Sequence, residues 1–212
     1  MEASTRYYSA SSKRGQGLER SRVTELHYMV PVDNITSILE VGILSHARSG
    51  AIPHLSVANE DVQRLRATKA VPPGRPLHEY VNLYFDARNA MMFAIRDQHP
   101  IVLRVSAQVL DLPGVVVTDG NAANAATKFE PAGSGLDLLD PDRVYAHSWN
   151  SDDYWEKCER KRQRQAEVLV PDVVPATYIT GAYVRNRFDL ARCQTVAGDL
   201  IVEVNRRVYF DD

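Results

Sequence analysis

Few side chains in this 212-residue chain sit where they could do chemistry, and they lie far apart. Glu167 stands at the mouth of the apolar run Val168-Leu169-Val170, directly after the basic stretch Arg160 to Gln165. A carboxylate on a buried strand is held rigidly beside low-dielectric walls. Read alone, it is an ordinary solvated strand-end glutamate. His27 falls inside a strand-like segment, and a strand histidine by itself is an ordinary packed residue. Arg64 and Arg66 lie in a helical stretch, where spacing alone reads them as surface charges. Tyr80 and Tyr84 share parity and project from one face of a strand. Together such groups suit an anionic, aromatic ligand. An arginine fork fits a pyrophosphate, tyrosine faces fit a flat heterocycle, and a carboxylate can hold a ribose hydroxyl.

Composition excludes other chemistries. Net charge is -2, so there is no general basic field for duplex DNA. Cys158 and Cys193 are not in CxxC spacing. They suggest neither a disulfide framework nor a zinc site, and they suit a reducing cytoplasm. The six histidines show no HExxH pairing, so no metal is expected. No apolar run approaches the roughly 20 residues that span a bilayer, and a signal-peptide core is lacking.

The elements that must position these groups read as follows. Residues 1–22 are rich in Ser, Arg, Lys and Gly and are expected to form a flexible basic tail; the domain is expected over 23–212. Thr24 to Val30 reads as a strand, with Asp33 or Asn34 capping a helix that Gly42 ends. Asn59 caps a second helix with Glu60 and Asp61 in its first turn. Residues 71–76 (VPPGRP) form a non-helical loop. Leu77 to Phe85 is a strand, and a short helix over Ala90 to Ile95 begins with Met91 and Met92. Pro100 to Ser106 and Val115 to Thr118 are strands. The small-residue run from Asp119 suits a helix N-terminus. Residues 130–142 are loop, and Val144 to Trp149 is a strand or extended connection. Ala176 to Val184 and Leu200 to Val204 are strands. Many strands with few short helices predict an α+β domain.

Four ordered blocks resemble the DarT family of DNA ADP-ribosyltransferase toxins: LHYMVPVDNITSILEVGILSH (26–46), VQRLRATKAVPPGRPLHEYVNLYFDARNAMMFAI (62–95), VVVTDGNAANAATKF (115–129) and WNSDDYWEKCERKRQRQAEVLV (149–170). The resemblance implies an ADP-ribosyltransferase fold, a twisted two-sheet core with short helices around an NAD cleft. It implies transfer of ADP-ribose from NAD+ to a base, thymine or guanine, of single-stranded DNA. NAD+ would be a co-substrate, with no metal. By position, Glu167 and Arg66 become the catalytic pair, Arg66 being preferred to Arg64. His27, Met29, Asn34, Arg66, Tyr80, Tyr84 and Met91 become cofactor contacts. Trp155, Lys157, Arg160, Arg162 and Arg164, in the polar segment before Glu167, become candidates for DNA. The chain departs from the family pattern at Met29, where a threonine hydroxyl is usual, and at Asn82, where proline is usual. A cytoplasmic monomer, paired with an antitoxin that removes ADP-ribose from DNA, is the implied setting.

Overall fold

The computed structural model describes residues 17–72 and 74–210. Strand β1 (Glu25–Val30) passes through Pro31 into α1 (Ile35–Val41), followed by β2 (Ile43–Leu44), α2 (His46–Ser49) and α3 (Glu60–Ala67). A small hairpin, β3 (Ala70–Val71) with β4 (Arg75–Pro76), leads into β5 (Tyr80–Tyr84), α4 (Ala90–Ile95) and β6 (Ile101–Ser106). Then come β7 (Val116–Thr118), β8 (Phe129–Pro131), α5 (Ala132–Gly135), α6 (Pro141–Val144) and α7 (Tyr154–Gln163). The chain finishes with β9 (Glu167–Pro171), β10 (Val173–Val174), β11 (Ile179–Val184), α8 (Arg187–Gln194) and β12 (Val202–Val204).

Eight strands form one sheet in the order β12-β11-β6-β1-β5-β9-β7-β8. Its centre is nearly divided. Strand β1 pairs with β6 along its whole length, from Glu25 opposite Ser106 to Val30 opposite Ile101. It meets β5 at a single position, His27 opposite Tyr84. Strand β5 in turn pairs with β9 from Tyr80 to Tyr84. The result is two four-stranded halves joined at one rung, which is the two-sheet α+β core expected from the sequence.

That rung lies within a longer row. Arg104 is opposite His27, His27 opposite Tyr84, Tyr84 opposite Glu167, and Glu167 opposite Thr118. Paired residues project to the same side of a sheet, so these five side chains share one face. Their neighbours Leu26, Leu83, Leu103, Val117 and Val168 point the other way, into the main hydrophobic core. Burial of each such side chain stabilises the fold by roughly 1.5–3 kcal/mol. The polar row therefore hangs from a rigid apolar floor.

Local signals explain the flanking elements. Asn59 caps α3 by accepting from the amides of Asp61 and Val62. Asn89 does the same for α4 through Met91 and Met92. Gly42 ends α1 with φ +86, a conformation that favours glycine. Asn34 does not cap α1 with its side chain; it bonds both backbone groups of Leu55 instead.

Several expectations are corrected. The run after Asp119 is a series of turns, not a helix N-terminus. Asn121 and Asn124 accept from the amides of Ala123 and Ala126, and such side-chain turns compete with helix. Of the two readings of residues 144–149, the strand is not formed: α6 ends at Val144 and an irregular connection follows. Within the tail expected over 1–22, Leu18 is anchored on the domain, while Glu19 to Arg22 are exposed. Leu18 is 2% exposed, and its amide donates to the Leu136 carbonyl. Residues 1–16 lie outside the described residues.

Candidate active site

Glu167 opens β9, and it is fully buried. Both of its carboxylate oxygens accept from Nη1 of Arg66, at 3.2 Å each. Arg66 is 5% exposed and comes from the last turn of α3, whereas Arg64 faces out and pairs with Asp61. Burial raises the Glu167 carboxyl above its usual range, although Arg66 and a hydrogen bond from the Ala122 amide act against that rise. The backbone beneath is fixed by Thr118. Its hydroxyl accepts from the Glu167 amide at 3.1 Å and donates to the Gly120 carbonyl at 2.7 Å.

Arg66 lines a cavity of about 410 Å³, within the size range of small-molecule sites, whereas Glu167 is not among the lining residues. Of the residues expected at a cofactor, Met29, Asn34, Arg66, Tyr80, Tyr84 and Met91 line it. They come from β1, the turn before α1, α3, β5 and α4. Tyr84 is buried next to Glu167, and burial, reinforced by that carboxylate, holds its hydroxyl protonated well above the usual range. Arg75 lies over the Tyr80 ring at 5.2 Å.

His27 is in the row but not among the cavity-lining residues. Its Nε2 is 3.3 Å from Glu25, and its Nδ1 is buried with no hydrogen-bond partner among the described residues. Glu25 also accepts from Arg104 Nε at 2.8 Å and from the Tyr183 hydroxyl at 2.9 Å. Burial works to raise the Glu25 carboxyl. The hydrogen bonds from His27, Arg104 and Tyr183 outweigh it and hold the group at about 2.

The DNA candidates separate. Trp155 is 78% exposed near the start of α7, and Lys157 is exposed. Arg160 is half-buried, bound to Glu156 and to the Asn150 carbonyl. Arg162 and Arg164 are corrections to the expected basic face. Arg162 is 7% exposed and bridges Asp119 and Glu159. Arg164 is 3% exposed, paired with Asp86 at 3.0 Å and donating to the Val144 carbonyl. Both are internal struts and do not form part of a surface.

Some cavity residues carried no readable local signal. His46 and His78 stack with ring centres 4.2 Å apart and line the cavity with His54. Burial lowers both His46 and His78, and the charge of Arg66 lowers them further. Lys161, Gln165, Asn82 and Asn121 also line it. Among the described residues, no group of three His, Cys, Asp or Glu side chains is placed to hold a metal, and no helix is long and apolar enough to cross a membrane.

A family model described as "ssDNA thymidine ADP-ribosyltransferase, DarT" matches residues 27–210. A DNA ADP-ribosyl transferase–DNA ADP-ribosyl glycohydrolase fusion protein of Thermosipho africanus (strain H17ap60334) is 30% identical over 194 residues, covering 88% of this chain and 47% of that protein. The chain thus spans about half the length of that relative. A DNA ADP-ribosyl transferase of Thermus sp. (strain 2.9) is 31% identical over 166 residues, 72% of this chain and 77% of the relative. The solved structure of Thermosipho africanus DarTG in complex with ADP-ribose superposes with a TM-score of 0.79 at 26% identity, covering 88% of this chain and 51% of that one. With the matched span running from the His27 rung to the end of the domain, the chain belongs to the DarT family.

Proposed function

We propose that this protein transfers ADP-ribose from NAD+ to a base of single-stranded DNA and releases nicotinamide. One observation carries the reading: a fully buried Glu167 held by Arg66, which itself lines a cavity together with Tyr80, Tyr84 and Met91. The cavity offers a cation, aromatic faces and neutral polar groups, which is the donor set a dinucleotide requires. The matched family description, the transferase relative and the ADP-ribose held by a solved relative support the same substrate.

The chemistry is displacement at C1′ of the nicotinamide ribose. Departure of nicotinamide leaves positive charge on the sugar, as in glycoside hydrolysis. Glu167 accepts a hydrogen bond from the ribose 2′-hydroxyl and stabilises that charge. Its carboxylate also takes the proton from the attacking base nitrogen. Arg66 uses one nitrogen for both Glu167 oxygens. The rest of its fork is then turned to the pyrophosphate, holding the reacting atoms in line. Thymine is the acceptor we propose, following the family description.

The setting we propose is a cytoplasmic, monomeric toxin whose mark a partner glycohydrolase removes. The fusion of both activities in the Thermosipho relative supports this. Incubation of the protein with NAD+ and a set of single-stranded oligonucleotides should give a product heavier by one ADP-ribose, on thymine by nucleoside mass spectrometry. Glu167→Ala should reduce the rate at least 1000-fold, on the order of 4 kcal/mol of transition-state stabilisation. Modification of RNA or protein with every DNA oligomer untouched would overturn the substrate.

A further inference from the structure

The burial of Arg162 and Arg164 removes two of the five basic side chains between Lys157 and Arg164 from the face before Glu167, so a single strand has fewer contacts there. Phe93, Trp149 and Phe210 form a ring cluster elsewhere on the molecule. Phe93 lies 6.2 Å from Trp149 and 5.3 Å from Phe210, and Trp149 lies 5.6 Å from Phe210, all edge to face. The guanidinium of Arg96 sits 4.4 Å from the Phe93 ring centre, and that of Arg88 sits 4.3 Å from Phe210.

Phe93, Trp149 and Phe210 do not line the cavity, but they adjoin elements that do. Phe93 stands in α4 between Met91 and Ala94, both of which line it. Met91 and Phe210 pack on the same secondary core. Trp149 begins the segment that runs through α7 to Glu167. A staple for the C-terminal residues would need Trp149 and Phe210 only. It does not account for Phe93, which is 45% exposed on a helix whose Met92 and Ile95 are buried.

Exposed ring faces with flanking guanidinium groups bind unpaired nucleobases, because every base has a π-face and every linkage carries a negative charge. A duplex hides those faces. We propose that Phe93 and Trp149, with Arg88 and Arg96, form a stacking platform for single-stranded DNA bases flanking the one modified at Glu167. This rests on the DNA-modifying function proposed above and gives the strand its path. The platform grips bases by their faces and leaves their pairing edges free.

The protein has two tryptophans, so Trp155→Phe leaves Trp149 as the single reporter. Titration of that protein with an oligothymidylate should quench its emission, and the matching duplex should not. Phe93→Ala and Phe93→Leu should each weaken binding about tenfold, the fold-change of one stacked base at about 1.4 kcal/mol, and Phe93→Tyr should restore it. Phe93→Leu keeps the apolar bulk against Trp149, so its loss reports stacking and not packing. Trp149 emission that ignores the oligomer, or Phe93→Leu binding as tightly as the parent, overturns the platform. The modification assay is read separately. A protein that modifies the oligomer without the platform response loses only this inference, and one that binds it through Phe93 but modifies nothing loses the function.

Discussion

Folding works against ionised Glu167, and Arg66 partly offsets that cost. The carboxyl titrates above its unfolded value because it is buried. A raised carboxyl destabilises the fold progressively as pH rises from the unfolded value towards the folded one. Removing Arg66 raises the group further. Arg66→Ala should therefore cost little stability near pH 4, where Glu167 is neutral with or without folding. The loss should grow to about 3 kcal/mol by pH 8, the cost of a buried charge without its partner. Denaturant unfolding at several pH values measures this, and a loss that does not change with pH would show that Arg66 acts through packing alone.

At the scale of elements, the loop from Asp119 to Lys128 matters more than its composition suggests. It supplies the Ala122 amide to Glu167. Asp119 holds Arg162 of α7 and caps the Lys128 amide. Gly120 lets the Arg162 side chain pass: a Cβ there would lie 2.8 Å from its Cγ and 2.6 Å from Nη1. Arg162→Met removes the ion-pair partner of half-buried Asp119, leaving it the Lys128 amide, and loosens the loop. It should lower stability by about 2–4 kcal/mol and slow turnover, with oligonucleotide affinity unchanged where the protein remains folded. Thermal melting and a binding titration on one sample separate the two effects, and a loss of DNA affinity at full stability would return Arg162 to the surface role.

Local signals made some elements legible and left others hidden. Asn59 as a cap and Gly42 as a stop act within one turn of chain, so both could be read directly. The apolar part of β9, Val168 to Val170, was legible as a short β-branched run. Gly120 with its alanines read as room for a helix, but Asn121 and Asn124 spend their side chains on turns. Arg162 and Arg164 looked like surface charges because their carboxylate partners Asp119 and Asp86 lie far away in sequence. The stacking of His46 on His78 likewise joins α2 to the turn before β5, which no spacing records.

For the molecule as a whole, the cavity draws its walls from both halves of the sheet and from α1, α3 and α4. A dinucleotide bound there ties those parts together and binds only the folded chain. A non-reactive NAD+ analogue at 100 times its dissociation constant should add about 2.7 kcal/mol of stability. For a domain of this size that raises the melting temperature by about 5–10 °C. Arg66→Ala should lose most of the shift. An analogue that binds by calorimetry but leaves melting unchanged would mean that the observed melt is of a part that unfolds independently of the binding site.

Strands β1 and β5 meet only at His27 and Tyr84. An exposed strand edge ordinarily invites another chain to add itself and grow a larger sheet. Here β1 and β5 turn their unfinished edges towards each other inside the protein and then part. The backbone groups along that gap are kept from foreign strands by the protein's own walls. The cavity is thus built from rungs left out of a ladder, and a dinucleotide bound there would stand where that pairing never forms.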